Sequence, residues 1–308
     1  MPPRIAFLGT PAVAVPALRA LAKARAVDAV FCNPDKPVGR GRHVEAPPVK
    51  AAAMDLALPV HQPARWKDAE TRALWEGLRI DLAVVVAYGH ILPPWMLDSL
   101  KLGAWNLHFS LLPKWRGAAP VNHAILAGDV ETGVSLMRIT PGLDEGPVLA
   151  MSRRPITLRD DAASLLAALA DDAAELLASH VPALLDGTAD PRPQSGRATF
   201  ASKLSKEMAP LDPARPALEV HRRVRALEPW PGTELRLQGT VVKIRAVGGL
   251  RPSQDPPGML RWDKGGAWLT CGDGQAVELL RLQRAGKPAQ PALQALQPFG
   301  PSGAMQAR

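Results

Sequence analysis

Asn106 and His108 stand two residues apart in WNLHFSLLPKWRGAAP (residues 105–120), and Asp144 follows in TPGLDEG (residues 140–146), flanked by Gly142 and Gly146. An amide, an imidazole and a carboxylate can together move protons and hold an oxyanion. The carboxylate can orient the ring and stabilise its protonated form. The amide NH₂ can meet a developing negative charge. No G-x-S-x-G elbow surrounds Ser110, so nothing marks it as a covalent nucleophile. The set suits transfer of a group to a nucleophile that the substrate brings, without naming the group. Alternate side chains of a strand share a face, which places Asn106 and His108 together and Leu107 opposite. The same pair could also be two satisfied polar groups in a core.

Neighbouring motifs narrow the chemistry. The first strand runs into Gly9-Thr10-Pro11, which has one glycine where a dinucleotide pyrophosphate needs several, so a nicotinamide or flavin enzyme is disfavoured. No G-x-x-x-x-G-K-[ST] loop supports ATP chemistry. Residues 33–50, NPDKPVGRGRHVEAPPVK, form a Pro/Gly loop carrying Lys36, Arg40, Arg42, Lys50 and His43, suited to a phosphate backbone. A solvated loop would read the same way. Trp115-Arg116-Gly117 could serve a substrate anion or simply pack. The eight tryptophans are expected to pack, with Trp230 in EPWPG the one placed to stack on a base.

The elements that must position these residues alternate. Strands are expected at Arg4–Leu8, Val27–Cys32, Pro59–His61, Leu82–Ala87, Ala104–Phe109 and Thr132–Ile139, with helices at 12–24, 49–56 and 117–127 between them. The run LAVVVA at 82–87 has the continuous apolar character of a strand covered on both faces. Alternation of this kind predicts a doubly wound, mostly parallel α/β sheet, with ligands outside the carboxyl ends of its strands. A long amphipathic helix over 161–186 closes this region, and GTADPRPQSGRATFA (187–201) reads as a connecting stretch. Beyond a helix near 218–227, short strand-like runs separated by Gly and Pro turns predict a small β-barrel or sandwich.

A chain of 308 residues is long for one core, so two domains are expected. At 47% hydrophobic and 21% charged residues it reads as globular. No apolar run reaches the ~18–20 residues of a membrane span, and no membrane partner is expected. Pro11 and Pro16 break the N-terminal apolar stretch, which argues against a secretion signal. Cys32 and Cys271 give neither a disulfide framework nor zinc spacing, so a reducing cytoplasm is expected. Charge is uneven. Residues 1–200 hold 21 Lys and Arg against 20 Asp and Glu, whereas residues 201–308 hold 16 against 9. A basic module beside a neutral one suggests a polyanionic partner, nucleic acid first, although a solvated basic surface would look the same.

With these residues in place, the chain resembles the methionyl-tRNA formyltransferase family of folate-dependent formyltransferases over nearly its whole length. The landmarks are FLGTP (7–11), NPDKPVGRGR (33–42), VVAYGHILP (85–93), NLHFSLLPKWRGAAP (106–120) and GDVETGVSLMRITPGLDEGPVL (128–149). KLSKE (203–207), EPWPG (228–232) and LQRAGK (282–287) follow. The resemblance implies a Rossmann-like formyltransferase domain at 1–186, a linker at 187–203 and a basic, OB-like β-barrel domain at 204–308 that binds tRNA. It implies 10-formyltetrahydrofolate as formyl donor, methionyl initiator tRNA as acceptor, no metal, and a monomer. By position, Asn106, His108 and Asp144 match the catalytic trio. Ser110, Leu111, Leu112 and Pro113, with Val86, Tyr88, Ile91 and Leu92, match folate contacts; Lys36, Arg40 and Arg42 match tRNA contacts. Two positions depart from the pattern. Phe109 stands where the family has a small residue, and Leu211-Asp212-Pro213 replaces an Asp-Trp. A purine-pathway formyltransferase would lack the basic module, and a sugar-amine formyltransferase or formyltetrahydrofolate hydrolase would share the trio. A non-catalytic RNA-binding protein on the same scaffold would not need it.

Overall fold

The computed structural model describes residues 2–38 and 43–307, and its contacts divide it into two compact units. The first comprises residues 1–120, 131–155 and 166–201; the second comprises 121–130, 156–165 and 202–308.

The first unit is built on a seven-stranded sheet of β1 (Ile5–Gly9), β2 (Ala29–Phe31), β3 (Val60–His61), β4 (Leu82–Val86), β5 (Gly103–His108), β6 (Glu131–Arg138) and β7 (Val148–Pro155). Their order is β7-β6-β5-β4-β1-β2-β3. The strands from β3 to β5 run parallel, β6 pairs antiparallel with β5, and β7 pairs antiparallel with β6. The parallel strands β1 and β4 are buried at every residue, as a sheet covered on both faces requires. Chain order reverses at β1, which has β4 on one side and β2 on the other, so the crevice between β1 and β4 is the switch point of the sheet. Strand β7 escaped the sequence reading because it is an edge strand. Its sequence VLAMSRRP shows no continuous apolar run, and exposed Met151 alternates with half-buried Ser152 and Arg154.

Helices α1 (Val15–Ala24), α2 (Pro48–Asp55) and α3 (Ala69–Leu78) supply the crossovers, and α1 and α2 each begin with proline in the first turn, where a missing N–H costs nothing. Phe31, Trp66 and Trp75 meet at ring centroid distances of 5.3–5.8 Å, and Tyr88 joins them edge-on to Trp66. Trp75 is fully buried and its Nε1–H donates to Ser99 Oγ at 3.0 Å, which satisfies the one polar atom of that ring.

The second unit centres on an antiparallel sheet of β8 (Thr233–Leu237), β9 (Thr240–Pro252), β10 (Met259–Asp263), β11 (Gly266–Thr270), β12 (Gln275–Arg284) and β13 (Gly303–Gln306). The order is β8-β9-β12-β11-β10-β13, and a bridge between Leu237 and Ala307 brings its two ends together as a small barrel. Register shifts between Ile244 and Leu250 bend the 13-residue strand β9 around the barrel. Leu235, Ile244, Leu260, Trp262, Leu269 and Val277 pack its interior with Val220 and Val224 of α4 (Ala217–Leu227). Strands β10 and β13 were not expected from the sequence, since MLRWD and GAMQ are too short to stand out.

Candidate active site

His108 ends β5, and its ring is 6% exposed. Nε2 lies 2.9 Å from the Trp115 carbonyl oxygen. A carbonyl only accepts, so Nε2 carries the hydrogen and the exchangeable position is Nδ1. That nitrogen faces Asp144 Oδ2 at 3.7 Å, longer than a hydrogen bond and within ion-pair range. Asp144 has a left-handed backbone (φ 47°) and its Oδ2 accepts from Gly117 N at 2.8 Å. Asn106 sits on the same face of β5 as His108, and among the described residues its amide has no hydrogen-bond partner. The trio read from the sequence is therefore brought together with the amide free and the carboxylate aimed at the ring.

The surrounding loops leave little room to drift. Ser135 of β6 donates to the Ser110 carbonyl at 2.7 Å and accepts from Leu112 N at 3.1 Å, which pins the turn after β5. Gly146 touches the Arg138 carbonyl so closely that a Cβ would lie 1.9 Å from its oxygen. Gly117 (φ 119°) would set a Cβ 2.5 Å from the Ala201 carbonyl oxygen. Both approaches need glycine, and both fix the backbone on either side of Asp144 and its donor.

The residues matched to folate contacts divide by environment. The Ser110 hydroxyl is fully buried and donates to the Lys114 carbonyl, so its part is to shape the turn. Leu112 and Val86 are buried; Leu111 and Pro113 are half-buried. Tyr88 and Leu92 are buried, and burial raises the Tyr88 phenol above its usual range. Ile91 is 91% exposed. It lines a cavity of about 440 Å³ whose walls include Arg65, Trp66, Lys67, His90 and Trp95. Flat apolar walls edged by cations fit an aromatic ligand with an anionic tail. His90 Nε2 donates to Asn33 Oδ1 at 2.6 Å, and Gln62 donates to Asn33 O and Asp35 Oδ1, which joins this loop to the start of the 33–50 segment.

Within that segment Lys36–Val38 pairs antiparallel with His43–Glu45. Lys36 is exposed, whereas Lys50 is held by Asp35 at 2.7 Å and is not a loop-tip cation; its hydrogen bond, then that of Gln62, lowers the Asp35 carboxyl. Arg40 and Arg42 lie outside the described residues. Phe109 is buried, and nothing in the structure explains its bulk. Burial pushes the Cys32 thiol up to about 11 and the Cys271 thiol up to about 12, which makes both inert packing residues. Trp230 is 51% exposed, unlike the buried Trp66, Trp75, Trp105 and Trp262.

Sequence reasoning missed Gln194 and Thr199. Both lie in the stretch read as a connector, and both bond to the site: Thr199 Oγ1 accepts from Trp115 N at 2.9 Å, and Gln194 donates to the Asp144 and Gly146 carbonyls at 2.8 Å each. Contacts across 48 to 84 residues leave no local period to read.

The chain is similar to known proteins over most of its length. The formyl transferase model matches residues 3–181, and the model of the formyl transferase C-terminal domain matches residues 203–300. A methionyl-tRNA formyltransferase of Ruegeria pomeroyi is 43% identical over 285 residues, covering 92% of this chain and 93% of its own. One from Halorhodospira halophila is 46% identical over 293 residues, covering 93% of each. Among solved structures, an N-formyltransferase from Helicobacter canadensis, in complex with folinic acid and dTDP-3-aminofucose, has the same fold. Its TM-score is 0.68 at 19% identity, covering 90% of this chain and 98% of that one. With family models matched over both halves of the sequence and relatives this similar end to end, the chain belongs to the formyl transferase family, among its methionyl-tRNA formyltransferases.

Proposed function

We propose that the site around His108 transfers the formyl group of 10-formyltetrahydrofolate to the α-amine of methionyl initiator tRNA. The observation that carries this reading is the buried imidazole, fixed at Nε2 by the Trp115 carbonyl and facing Asp144 at Nδ1. The neutral amine attacks the formyl carbon, and a C–N bond forms as the carbonyl π electrons move to oxygen. The Asn106 amide and the protonated ring stabilise that oxyanion. The protonated His108 gives its proton to N10 of the folate as the bond from N10 to the formyl carbon breaks, and the neutral ring then takes the proton leaving the amine. Asp144, held by Gly117 N, keeps the ring oriented and balances its charge.

The turn at Ser110–Pro113, with Val86, Tyr88 and Leu92, walls the donor beside the trio, and the cavity at Ile91 suits its aromatic and anionic portion. Lys36, Arg40 and Arg42 of the 33–50 segment approach the acceptor end of the tRNA, and the basic second unit binds the remainder. The work is done in the cytoplasm by a monomer. A formylation assay with 10-formyltetrahydrofolate, comparing initiator with elongator methionyl-tRNA, tests the reading. Formylation confined to the initiator species is expected; equal use of both, or of neither, would contradict it.

A further inference from the structure

Gln194 is bonded on every side. Its Oε1 accepts from Arg116 Nη2 at 2.7 Å and Nε at 3.1 Å, and its Nε2 donates to the carbonyls of Asp144 and Gly146. A guanidinium only donates and a carbonyl only accepts, so the amide can sit in one orientation alone. The carbonyls it holds bracket the left-handed turn that presents the Asp144 carboxylate. Five residues on, Thr199 fastens Trp115, whose carbonyl fixes His108 Nε2. The adjoining strand pair, Arg116–Gly117 with Phe200–Ala201, carries the Gly117 N–H that bonds Asp144. One short segment, remote in sequence, therefore sets both partners of the His108–Asp144 pair.

We infer that Gln194, supported by Thr199, is the positioning residue for the His108–Asp144 pair, so that residues 194–199 belong to the catalytic machinery. This rests on the proposed role of that pair. The alternative task for Gln194, holding Arg116, is separable by chemistry. Gln194→Glu keeps an acceptor for the guanidinium yet turns a carboxylate towards two carbonyl oxygens, and so it should break the Asp144 loop.

The experiment compares steady-state formylation by Gln194→Ala, Gln194→Glu and the near-isosteric Thr199→Val, with His108→Ala alongside. Displacing reacting groups by about 1 Å can cost 10²-fold, so each of the first three should lower kcat by about 10–100-fold. KM for either substrate should stay within about twofold, and the alkaline and acid limbs of the kcat–pH profile should move. If Gln194→Glu is as active as the parent chain while Gln194→Ala is impaired, the role lies with Arg116 and the inference fails. It fails equally if Gln194→Ala and Thr199→Val both keep parental kcat while His108→Ala is inactive, which leaves the proposed site standing. Full activity of His108→Ala would overturn the site and the inference together. Should Gln194→Ala not fold, Gln194→Glu and Thr199→Val carry the same test.

Discussion

Two buried histidines, one in each unit, are alike at one ring nitrogen and opposite at the other. His108 donates from Nε2 to the Trp115 carbonyl and faces the Asp144 carboxylate with Nδ1. His221 donates from Nε2 to the Gly248 carbonyl at 3.1 Å and accepts at Nδ1 from Arg225 Nε at 3.1 Å. A guanidinium cannot give up its proton, so Nδ1 of His221 must stay bare and the ring neutral. Burial, then the Arg225 charge, pushes His221 down to about 4. Burial alone does not make a histidine reactive; the group facing its second nitrogen decides. In the first unit the polar bonds converge from residues 108–117, 135, 144–146 and 194–201 on one spot, as a reactive centre requires. In the second, Arg225 also donates to the carbonyls of Thr157 and Asp160, and the polar set serves as a structural clamp.

Breaking the two cores separately gives the largest expected effects. Trp75→Ala in the first unit and Trp262→Ala in the second should each cost about 3–5 kcal/mol in denaturant unfolding. Hydrogen exchange should rise first in β1 and β4 for the former and in β10 and β11 for the latter; loosening of the opposite unit would show that the cores are not separate. Acid comes next. The folded pKa of His221 lies below its unfolded value, so its contribution is present above about pH 6.5 and is lost as pH falls towards 4, a loss on the order of 3 kcal/mol. Chemical denaturation across that window should show the slope, and His221→Gln should flatten it. A slope unchanged by the substitution would remove His221 from the clamp. Smaller still is a salt effect. If the excess of positive charge beyond residue 200 meets the phosphate backbone, kcat/KM for the tRNA should fall at least about tenfold between 50 and 200 mM salt. The KM for the folate should move much less, and parallel changes in both would remove that role.

Much of this was legible in the sequence. Strand β5 displayed Asn106 and His108 on one face by period-two alternation alone, and the parallel core was legible in runs such as LAVVVA. The carboxylate could be suspected from its place between two glycines, one of which, Gly146, packs against the Arg138 carbonyl. What stayed hidden was whatever depends on distant contacts. Strand β7 pairs through backbone groups that any residue carries, and Gln194 sits in a Pro- and Gly-rich stretch whose composition says only that it is not a helix or central strand. Lys50 was counted among the loop's cations for a related reason. Charge can be counted along a chain, but the Asp35 that occupies Lys50 is found only in three dimensions.

The sharpest test is single-turnover formyl transfer from 10-formyltetrahydrofolate to initiator methionyl-tRNA by three variants measured side by side. His108→Ala and Asp144→Asn should each lose at least about 10²-fold in rate, the scale of general acid–base and oxyanion roles. His221→Gln at neutral pH should stay within about threefold of the parent chain, since that ring only bridges a helix and a strand. Parental rates for either of the first two, or an equal loss at His221, would contradict the assignment of the chemistry to the pair at the end of β5.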